Sequence, residues 1–176
     1  MRKRSEKELN RIDEVQFKNR KKMPIVVALD NVRSLHNVGA IFRCCDAFAV
    51  EKILLLGITG YPPRPEIEKT ALGATQTVPW TYHRHAKPIL EKYKKNYEIL
   101  PVEQTTQSIP PQEALRFGKT KKVLVFGHEV KGISEAVLSL AERSLEIPQF
   151  GTKHSLNVSV SAGIVLWEAA QIHLIP

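Results

Sequence analysis

The stretch IVVALDNVRSLHNVGAIFRCCDAF, residues 25–48, decides the fold class of this chain. Its first six residues form an apolar run ending at Asp30, which predicts a buried strand. Apolar residues then recur at helical spacing over residues 38–48, so a glycine-containing turn leads from the strand into a helix. In that arrangement backbone N–H groups at the helix N-terminus face a ligand. Arg43 stands among the apolar residues of this helix, which makes it a candidate for chemistry rather than packing.

The alternation of strand and helix continues along the rest of the chain. Strands are predicted at residues 25–30, 52–56, 77–81, 97–102, 122–127 and 144–147, and helices at residues 38–48, 86–95, 134–141 and 156–173. Loops are indicated at residues 60–63 and 109–111, where two prolines stand together. The pattern predicts an α/β fold with a mainly parallel sheet flanked by helices.

Length and composition favour one domain, residues 24–176, behind a basic extension, residues 1–23. No apolar run approaches the roughly 20 residues that cross a bilayer, and the basic start lacks the apolar part of a signal peptide, so we expect a cytoplasmic protein without a membrane partner. The only cysteines, Cys44 and Cys45, are adjacent on a predicted helix. That geometry predicts free thiols and no metal.

The formal net charge is +8, and its distribution indicates a polyanionic partner. Residues 1–23 contain nine Lys and Arg against four acids, so five of the eight net charges lie there. We therefore predict that this leader contacts nucleic-acid phosphates, although a solvated helix would give the same composition. The predicted phosphate-binding residues are Arg2, Lys3, Arg4, Arg11, Lys18, Arg20, Lys21 and Lys22. A second basic run, residues 92–97, includes two tyrosines, as nucleic-acid-binding surfaces often do.

Familiar catalytic signatures are incomplete in this sequence. Gly118-Lys119-Thr120 ends like a phosphate-binding P-loop, but Glu113 stands where the first glycine is required. His128-Glu129 lacks the second histidine of a zinc motif, and we predict no metal. No GxGxxG follows the first strand, so a dinucleotide site is not supported.

Three glycine-containing segments each follow a predicted strand, at residues 35–43, 125–133 and 147–163. Ligands collect at the carboxyl ends of parallel strands, so these segments could form one site. Its polar groups would be Asn37, Arg43, Glu129, Ser155 and Asn157. The alternatives are that Asn37 caps a helix, that Glu129 is a surface acid, and that Ser155 and Asn157 cap the last helix.

Taken together and in this order, the segments resemble the SpoU or TrmH-type branch of the SPOUT RNA methyltransferases. The first motif is Asn37-Val-Gly-Ala-Ile-Phe-Arg43 and the second is Gly127-His-Glu-Val-Lys-Gly132. The third is IPQFGTKHSLNVS, residues 147–159, in which Gln149 replaces the methionine usual in the family. The resemblance spans residues 24–173, nearly everything but the leader.

The resemblance implies a SPOUT fold with a C-terminal deep trefoil knot, a homodimer, and methylation of a ribose 2′-hydroxyl of tRNA or rRNA from S-adenosylmethionine. The cofactor would bind mainly to backbone groups near Val102, Gly127, Ile147 and Leu156. The catalytic arginine of one chain would approach the cofactor of the other. The small residues of the last helix, which could serve this interface or internal packing, are Ser159, Ser161, Ala162 and Gly163.

The resemblance also implies a role for each polar residue. Arg43 would be the catalytic arginine, acting as a base or as a phosphate and alkoxide stabiliser. Asn37 would orient Arg43, Glu129 would support the loop or the arginine, and Ser155 with Asn157 would position substrate and phosphate. Two alternatives are a catalytically silent RNA-binding or ribosome-assembly factor with this fold, and a nucleotide-phosphate enzyme using Gly118-Lys119-Thr120.

Overall fold

A five-stranded parallel sheet forms the centre of the computed structural model, which describes residues 1–5, 7–9 and 11–175. Residue 6, residue 10, residue 176 and the side chain of residue 7 lie outside the description. The strands are β1 Met23–Asp30, β2 Val50–Leu56, β3 Trp80–His83, β4 Glu98–Pro101 and β6 Lys122–Gly127, in the order β3-β2-β1-β6-β4. Two further strands, β5 Ser108–Ile109 and β7 Ser144–Leu145, pair in parallel beside β4, where Val102 bridges to Leu145.

Helices cover both faces of the sheet. They are α1 Glu14–Asn19, α2 Leu35–Ala47, α3 Pro65–Ala71, α4 Ala74–Thr77, α5 Ala86–Lys94, α6 Pro111–Arg116, α7 Glu135–Leu138 and α8 Val158–His173, after a 3-10 turn at Lys7–Leu9. One face packs α2 and α8 onto alternate residues of β1 such as Val27 and Leu29, and the other packs α5 and α7 onto Val26 and Ala28. Both faces of β1 are therefore buried, which explains its continuous apolar run.

The carboxyl ends of four strands lie in one row. Parallel pairing sets Asp30 beside both Gly127 of β6 and Leu56 of β2, and Leu56 beside His83 of β3. The loops that follow these strands consequently leave the sheet side by side. This row is the base on which the candidate site is built.

The α/β fold with a parallel sheet is confirmed, but three local predictions are wrong. The strand predicted at residues 77–81 begins only at Trp80, because Thr77 ends α4 and bonds Asp46 through its hydroxyl group. Of the loop predicted at residues 109–111, only Pro110 lies outside regular structure. Ile109 ends β5, and Pro111 begins α6 because proline has the backbone angle suited to a first helical residue. The helix predicted at residues 134–141 is a single turn, Glu135–Leu138.

The leader is attached to the domain through α1. Phe17 is buried in the main core, and the chain enters β1 at Met23. Lys22 Nζ lies 3.1 Å from the centroid of the Phe17 ring and donates a 2.6 Å hydrogen bond to the Phe17 carbonyl oxygen. Burial lowers the pKa of Lys22. Among the described residues, no helix is long and apolar enough to span a membrane.

Candidate active site

A cavity of about 370 Å³ opens at the carboxyl ends of β4 and β6. The four residues predicted to surround the cofactor, Val102, Gly127, Ile147 and Leu156, all line it. Ser155 and Asn157 lie in the same lining, so the second and third motifs meet here. The size falls in the range of cavities that hold small-molecule ligands.

Acidic side chains dominate the charge of this cavity. Glu103, Glu129 and Glu146 line it, and the described lining contains neither lysine nor arginine. Glu103 accepts hydrogen bonds from the backbone N–H groups of Gln104 and Ile133, and Ser108 donates one to Glu146. In a protein with a net charge of +8, this interior favours a cationic ligand.

Glu129 ties the second motif to the first. Its carboxylate accepts hydrogen bonds from the backbone N–H groups of Ser34 at 2.9 Å and Arg33 at 3.1 Å, and from Asn37 Nδ2 at 3.1 Å. Burial favours a higher pKa for Glu129, but these hydrogen bonds outweigh it and the pKa lies below its ordinary value. The group is therefore ionised at neutral pH and is poorly suited to act as a base.

The third motif joins the same network through two asparagines. Asn157 Nδ2 donates to Asn37 Oδ1 at 3.2 Å, while Asn157 Oδ1 accepts from the Ser159 backbone N–H at 2.9 Å. Asn157 thus caps α8, as one alternative had it, and also links α8 to Asn37 and Glu129. Asn37 does not cap α2, because Ser34 does so by accepting from the Asn37 N–H.

Side chains of the protein itself lie at the start of α2, where the sequence led us to expect a ligand. Glu129 accepts from the two N–H groups just before the helix, and Ser34 accepts from the Asn37 N–H. Gly39 is buried against α3, where a Cβ atom would lie 2.2 Å from the Ile67 carbonyl oxygen. A Cβ atom on Gly127 would lie 2.4 Å from the Gly132 carbonyl carbon. Both glycines are therefore required for close backbone approach.

Arg43 projects from the exposed face of α2, and the described lining of the cavity in its own chain does not include it. It forms no ion pair or side-chain hydrogen bond with any described residue. Asn37 bonds Glu129 and Asn157 rather than Arg43, so the network fixes the loops and leaves the arginine free. Ser155 is exposed at the cavity rim.

The predicted RNA-binding residues of the leader are not equivalent. Arg2 pairs with Glu8 at 2.6 Å, which lowers the pKa of Glu8 to about 2, and Lys22 is engaged with Phe17. The remaining six are exposed: Lys3, Arg4, Arg11, Lys18, Arg20 and Lys21. The structure therefore leaves most of the leader's cations available to solvent.

The P-loop alternative finds no support in the geometry. Gly118-Lys119-Thr120 follows α6 rather than a strand, and Lys119 Nζ donates a 2.8 Å hydrogen bond to the Lys94 carbonyl oxygen.

Sequence reasoning missed several cavity residues, among them Glu103, Glu146 and His128. His128 Nδ1 accepts from the backbone N–H groups of Val130 and Lys131, which shapes the loop of the second motif. Each follows or adjoins a strand end, the only sequence signal that indicated them.

Comparisons with known proteins agree with this arrangement. The family model described as the SpoU rRNA methylase family matches residues 24–167. A tRNA (guanosine(18)-2′-O)-methyltransferase of Thermus thermophilus is 34% identical over 176 residues, covering 99% of this chain and 87% of that protein.

Two solved structures share the fold and part of the sequence. The TrmH/SpoU tRNA-modifying enzyme of A. aeolicus superposes with a TM-score of 0.76 at 29% identity, over 90% of this chain and 79% of that one. The AdoMet-bound rRNA methyltransferase of Sinorhizobium meliloti superposes with a TM-score of 0.76 at 26% identity, over 86% of this chain and 57% of that one. The resemblance of the three motifs is thereby confirmed, and this chain belongs to the SpoU methylase family.

Proposed function

We propose that this protein transfers the methyl group of S-adenosylmethionine to a ribose 2′-hydroxyl of tRNA or rRNA. The observation that carries the proposal is the cavity at the ends of β4 and β6, whose lining is acidic and contains residues from both later motifs. The sulfonium of the methyl donor is a cation, so ionised carboxylates favour its binding. Relatives named as tRNA and rRNA methyltransferases support the choice of substrate.

Arg43 is assigned to the substrate side of the reaction. A ribose hydroxyl is a weak nucleophile, whereas the sulfonium methyl is already activated, so the protein must chiefly orient the oxygen and stabilise its developing charge. A guanidinium stays protonated and binds phosphate through two parallel N–H groups. Arg43 therefore holds the neighbouring phosphate and stabilises the alkoxide, and exposed Ser155 positions the ribose at the cavity rim.

Val102, Gly127, Ile147 and Leu156 are assigned to the cofactor, through backbone groups at the cavity wall. Asn37, Glu129 and Asn157 are assigned to positioning, because their hydrogen bonds join the three motifs without contacting Arg43. The leader is assigned to RNA phosphates through its six exposed cations. The C-terminal knot is carried over from the resemblance.

The active site is completed by a second copy of the chain. Val160, Ile164 and Trp167 form an apolar stripe on α8 that is 40–50% exposed, and Trp167 contacts Phe48 with ring centroids 6.0 Å apart. Residues spaced by four and three share one helix face, and such a stripe is typical of a protein interface. Pairing of two copies through this face would carry Arg43, on the adjoining α2, toward the cavity of the partner.

Two of the four small residues of α8, Ala162 and Gly163, fit the alternative of packing within one chain. Ala162 is fully buried, and a Cβ atom on Gly163 would lie 3.8 Å from Cys44 Sγ of the same chain. They support the contact between α2 and α8 within one chain. Light scattering should give about twice the 19.9 kDa chain mass. A monomer with full activity would contradict the shared site.

The test of function uses the whole protein with methyl-labelled S-adenosylmethionine and either bulk tRNA or ribosomal RNA. Ribose methylation should appear as dinucleotides that survive alkaline hydrolysis, because the modified 2′-oxygen can no longer attack the phosphate. Calorimetry should show binding of S-adenosylmethionine and none of ATP. Cofactor binding without transfer to either RNA would favour the silent RNA-binding or assembly factor instead.

A further inference from the structure

Three strands, β1, β2 and β3, form the half of the sheet away from the cavity, and one exposed arginine follows each of them. Arg33 follows β1, Arg64 ends the loop after β2, and Arg84 directly follows β3. None of the three forms an ion pair with any described residue, whereas Arg143 at the opposite end of the sheet pairs with Glu98. Unpaired arginines in adjacent loops are available to bind an anion.

The pairing of the strands brings these loops together. The backbone N–H of Asn31 donates to the Leu56 carbonyl oxygen at 3.2 Å, and that of Gly57 donates to the His83 carbonyl oxygen at 3.0 Å. With strands about 4.8 Å apart, the row from β6 to β3 spans about 14 Å, the length of about four stacked nucleotides. The loops thus form a continuous edge that starts at the second motif.

Two exposed tyrosines stand on the same edge. Tyr61 is 43% exposed and Tyr82 is 38% exposed, with ring centroids 4.7 Å apart. Tyr82 is held in place because its hydroxyl donates a 2.8 Å hydrogen bond to the Gly57 carbonyl oxygen. Tyr61 also stacks on Trp80, at 6.5 Å and 28° between the rings. Rigid aromatic faces left open to solvent suit the stacking of an unpaired base.

The stem of Arg64 lies close to the turn that precedes Tyr61. A Cβ atom on Gly60 would come within 3.9 Å of Arg64 Cδ, and within 2.2 Å of Leu35 Cδ2 at the start of α2. The nearest acids along the chain are Glu66 and Glu68, in the first turn of α3, and Glu68 accepts a hydrogen bond from Thr75. Positive charge and aromatic surface therefore coincide at this edge.

We propose that Arg33, Arg64, Arg84, Tyr61 and Tyr82, termed the arginine–tyrosine track, bind a single-stranded segment of the RNA substrate. The arginines contact successive phosphates, and the tyrosines stack on a base three or four nucleotides from the one being methylated. The inference rests on the proposed function, because the track begins where the ribose would enter the cavity. It assigns this enzyme a preference for substrates that are unpaired next to the target nucleotide.

The test compares two double variants with a matched control. The variants are Tyr61→Ala/Arg64→Ala and Arg64→Ala/Arg84→Ala, and the control is Arg116→Ala/Phe117→Ala. The control pair lies just before the opposite end of β6 and also joins an exposed aromatic to an exposed arginine. The probe is a fluorescein-labelled oligoribonucleotide of about twelve uridines, with a duplex RNA of equal length for comparison, measured by fluorescence anisotropy.

Loss of one stacking partner and one phosphate contact should weaken binding of the oligouridine at least tenfold. Loss of two arginines should flatten the slope of log affinity against log salt by about 1.4, because each phosphate contact on a single strand contributes about 0.7. The control should bind as the wild type does. Because the arginine variant changes only exposed side-chain ends, it tests the track even where removal of Tyr61 affects folding.

Three results would overturn the track: affinities unchanged in both variants, binding of duplex in preference to oligouridine by the wild type, or conversion of the variants to monomers. The last would assign this surface to the partner chain. Failure of the proposed function is seen separately, as a wild-type protein that neither binds S-adenosylmethionine nor transfers its methyl group. A wild type that methylates RNA while both variants bind oligouridine normally refutes the track alone.

Discussion

The two halves of the sheet's carboxyl edge differ in how their charges are satisfied. Beside β4 and β6 the carboxylates line a cavity, and Glu103 and Glu129 are held by backbone N–H groups. Beside β1, β2 and β3 the arginines are exposed and without ion pairs to described residues. A cationic cofactor and a polyanionic RNA would therefore bind at different halves of this edge. The two halves meet where Asn37 of α2 donates a hydrogen bond to Glu129 of the cavity lining.

The largest effect is expected from Arg43→Ala, which removes a group that the fold does not use. The variant should remain folded and bind S-adenosylmethionine as the wild type does, because Arg43 is exposed and lies outside the described cavity lining of its own chain. Methyl transfer should fall about 100-fold or more, as expected for loss of charge stabilisation at the reacting oxygen. Single-turnover methylation with saturating RNA separates this step from binding.

Arg43→Lys is the control for charge alone. A lysine ammonium cannot hold phosphate and ribose oxygens in one planar arrangement, so it should restore little of the rate. A wild-type single-turnover rate in either variant would remove Arg43 from the mechanism. A parallel loss of stability and cofactor affinity would show that the arginine stem is a packing element.

The second-largest effect is expected in the cavity half, from a variant that also serves the later test of shared sites. Gly127→Ala should weaken S-adenosylmethionine binding at least tenfold, because the added Cβ atom would meet the Gly132 carbonyl carbon at 2.4 Å and displace the loop. Calorimetry measures the affinity, and a cooperative thermal transition establishes that the variant is folded. Cofactor affinity equal to wild type would place the ligand elsewhere.

Subunit mixing then shows whether each active site is shared between two chains or formed within one. When Arg43→Ala and Gly127→Ala chains are unfolded and refolded together, half the dimers should be mixed and contain one intact site each, which restores about a quarter of wild-type activity. Mixing should restore nothing if each chain supplies both its own arginine and its own cavity. The two single variants alone set the baseline.

A smaller effect is expected in the leader, and the structure sharpens how it should be tested. Removal of the entire segment would uncover core around Phe17, so substitution is preferable. Lys18→Ala/Arg20→Ala/Lys21→Ala should reduce the salt slope of tRNA binding by about 0.7 to 0.9 per lost contact, with cofactor affinity unchanged. Lys22→Ala is the matched control, because Lys22 lies against Phe17 and should affect stability rather than RNA binding. An unchanged salt slope in the triple variant would mean that the leader is a solvated helix that does not contact RNA phosphates.

Sequence alone was sufficient for most of the central sheet and for the loops of the second and third motifs, but not for the start of β3 or for the cavity residues Glu103 and Glu146. Buried parallel strands have long apolar runs, and glycine-containing loops at their ends are recognisable because no other residue permits the backbone approach seen at Gly127. Helices α3 and α6 were missed because they are short and begin at prolines in segments that resemble loops. Local pattern is weak over a single turn, and packing decides the outcome.

The partners of the polar residues could not be predicted. The sequence places Asn37, Glu129 and Asn157 in three separate motifs, and only the assembled fold shows that they bond one another while Arg43 bonds no side chain that the structure describes. The same holds for the start of α2, where a ligand was expected and a carboxylate of the chain itself lies. The arginine–tyrosine track was missed for a related reason, because its members come from three loops without a shared motif.

The smallest effect is expected from Glu129→Gln, which tests whether the cavity half is held together by charge. The pKa of Glu129 lies below its ordinary value of 4.5, so its ionised form favours the folded state above that pH. This contribution is lost as the pH falls through the lower folded value. The variant should therefore unfold more easily than wild type near neutral pH, by about 1 kcal/mol after allowance for solvent screening.

The difference between the two proteins should begin to shrink below about pH 4.5, because Glu129 is protonated there in the unfolded chain first and in the folded chain only at its lower pKa. Urea unfolding near neutral pH and at about pH 3.5 measures both values, and Glu91→Gln, on the exposed surface of α5, is the matched control. A difference that persists unchanged in acid would show that shape and hydrogen-bond geometry, rather than charge, make this residue necessary. S-adenosylmethionine affinity near neutral pH provides an independent measure, since loss of one cavity anion should weaken binding of the sulfonium in Glu129→Gln and not in the control.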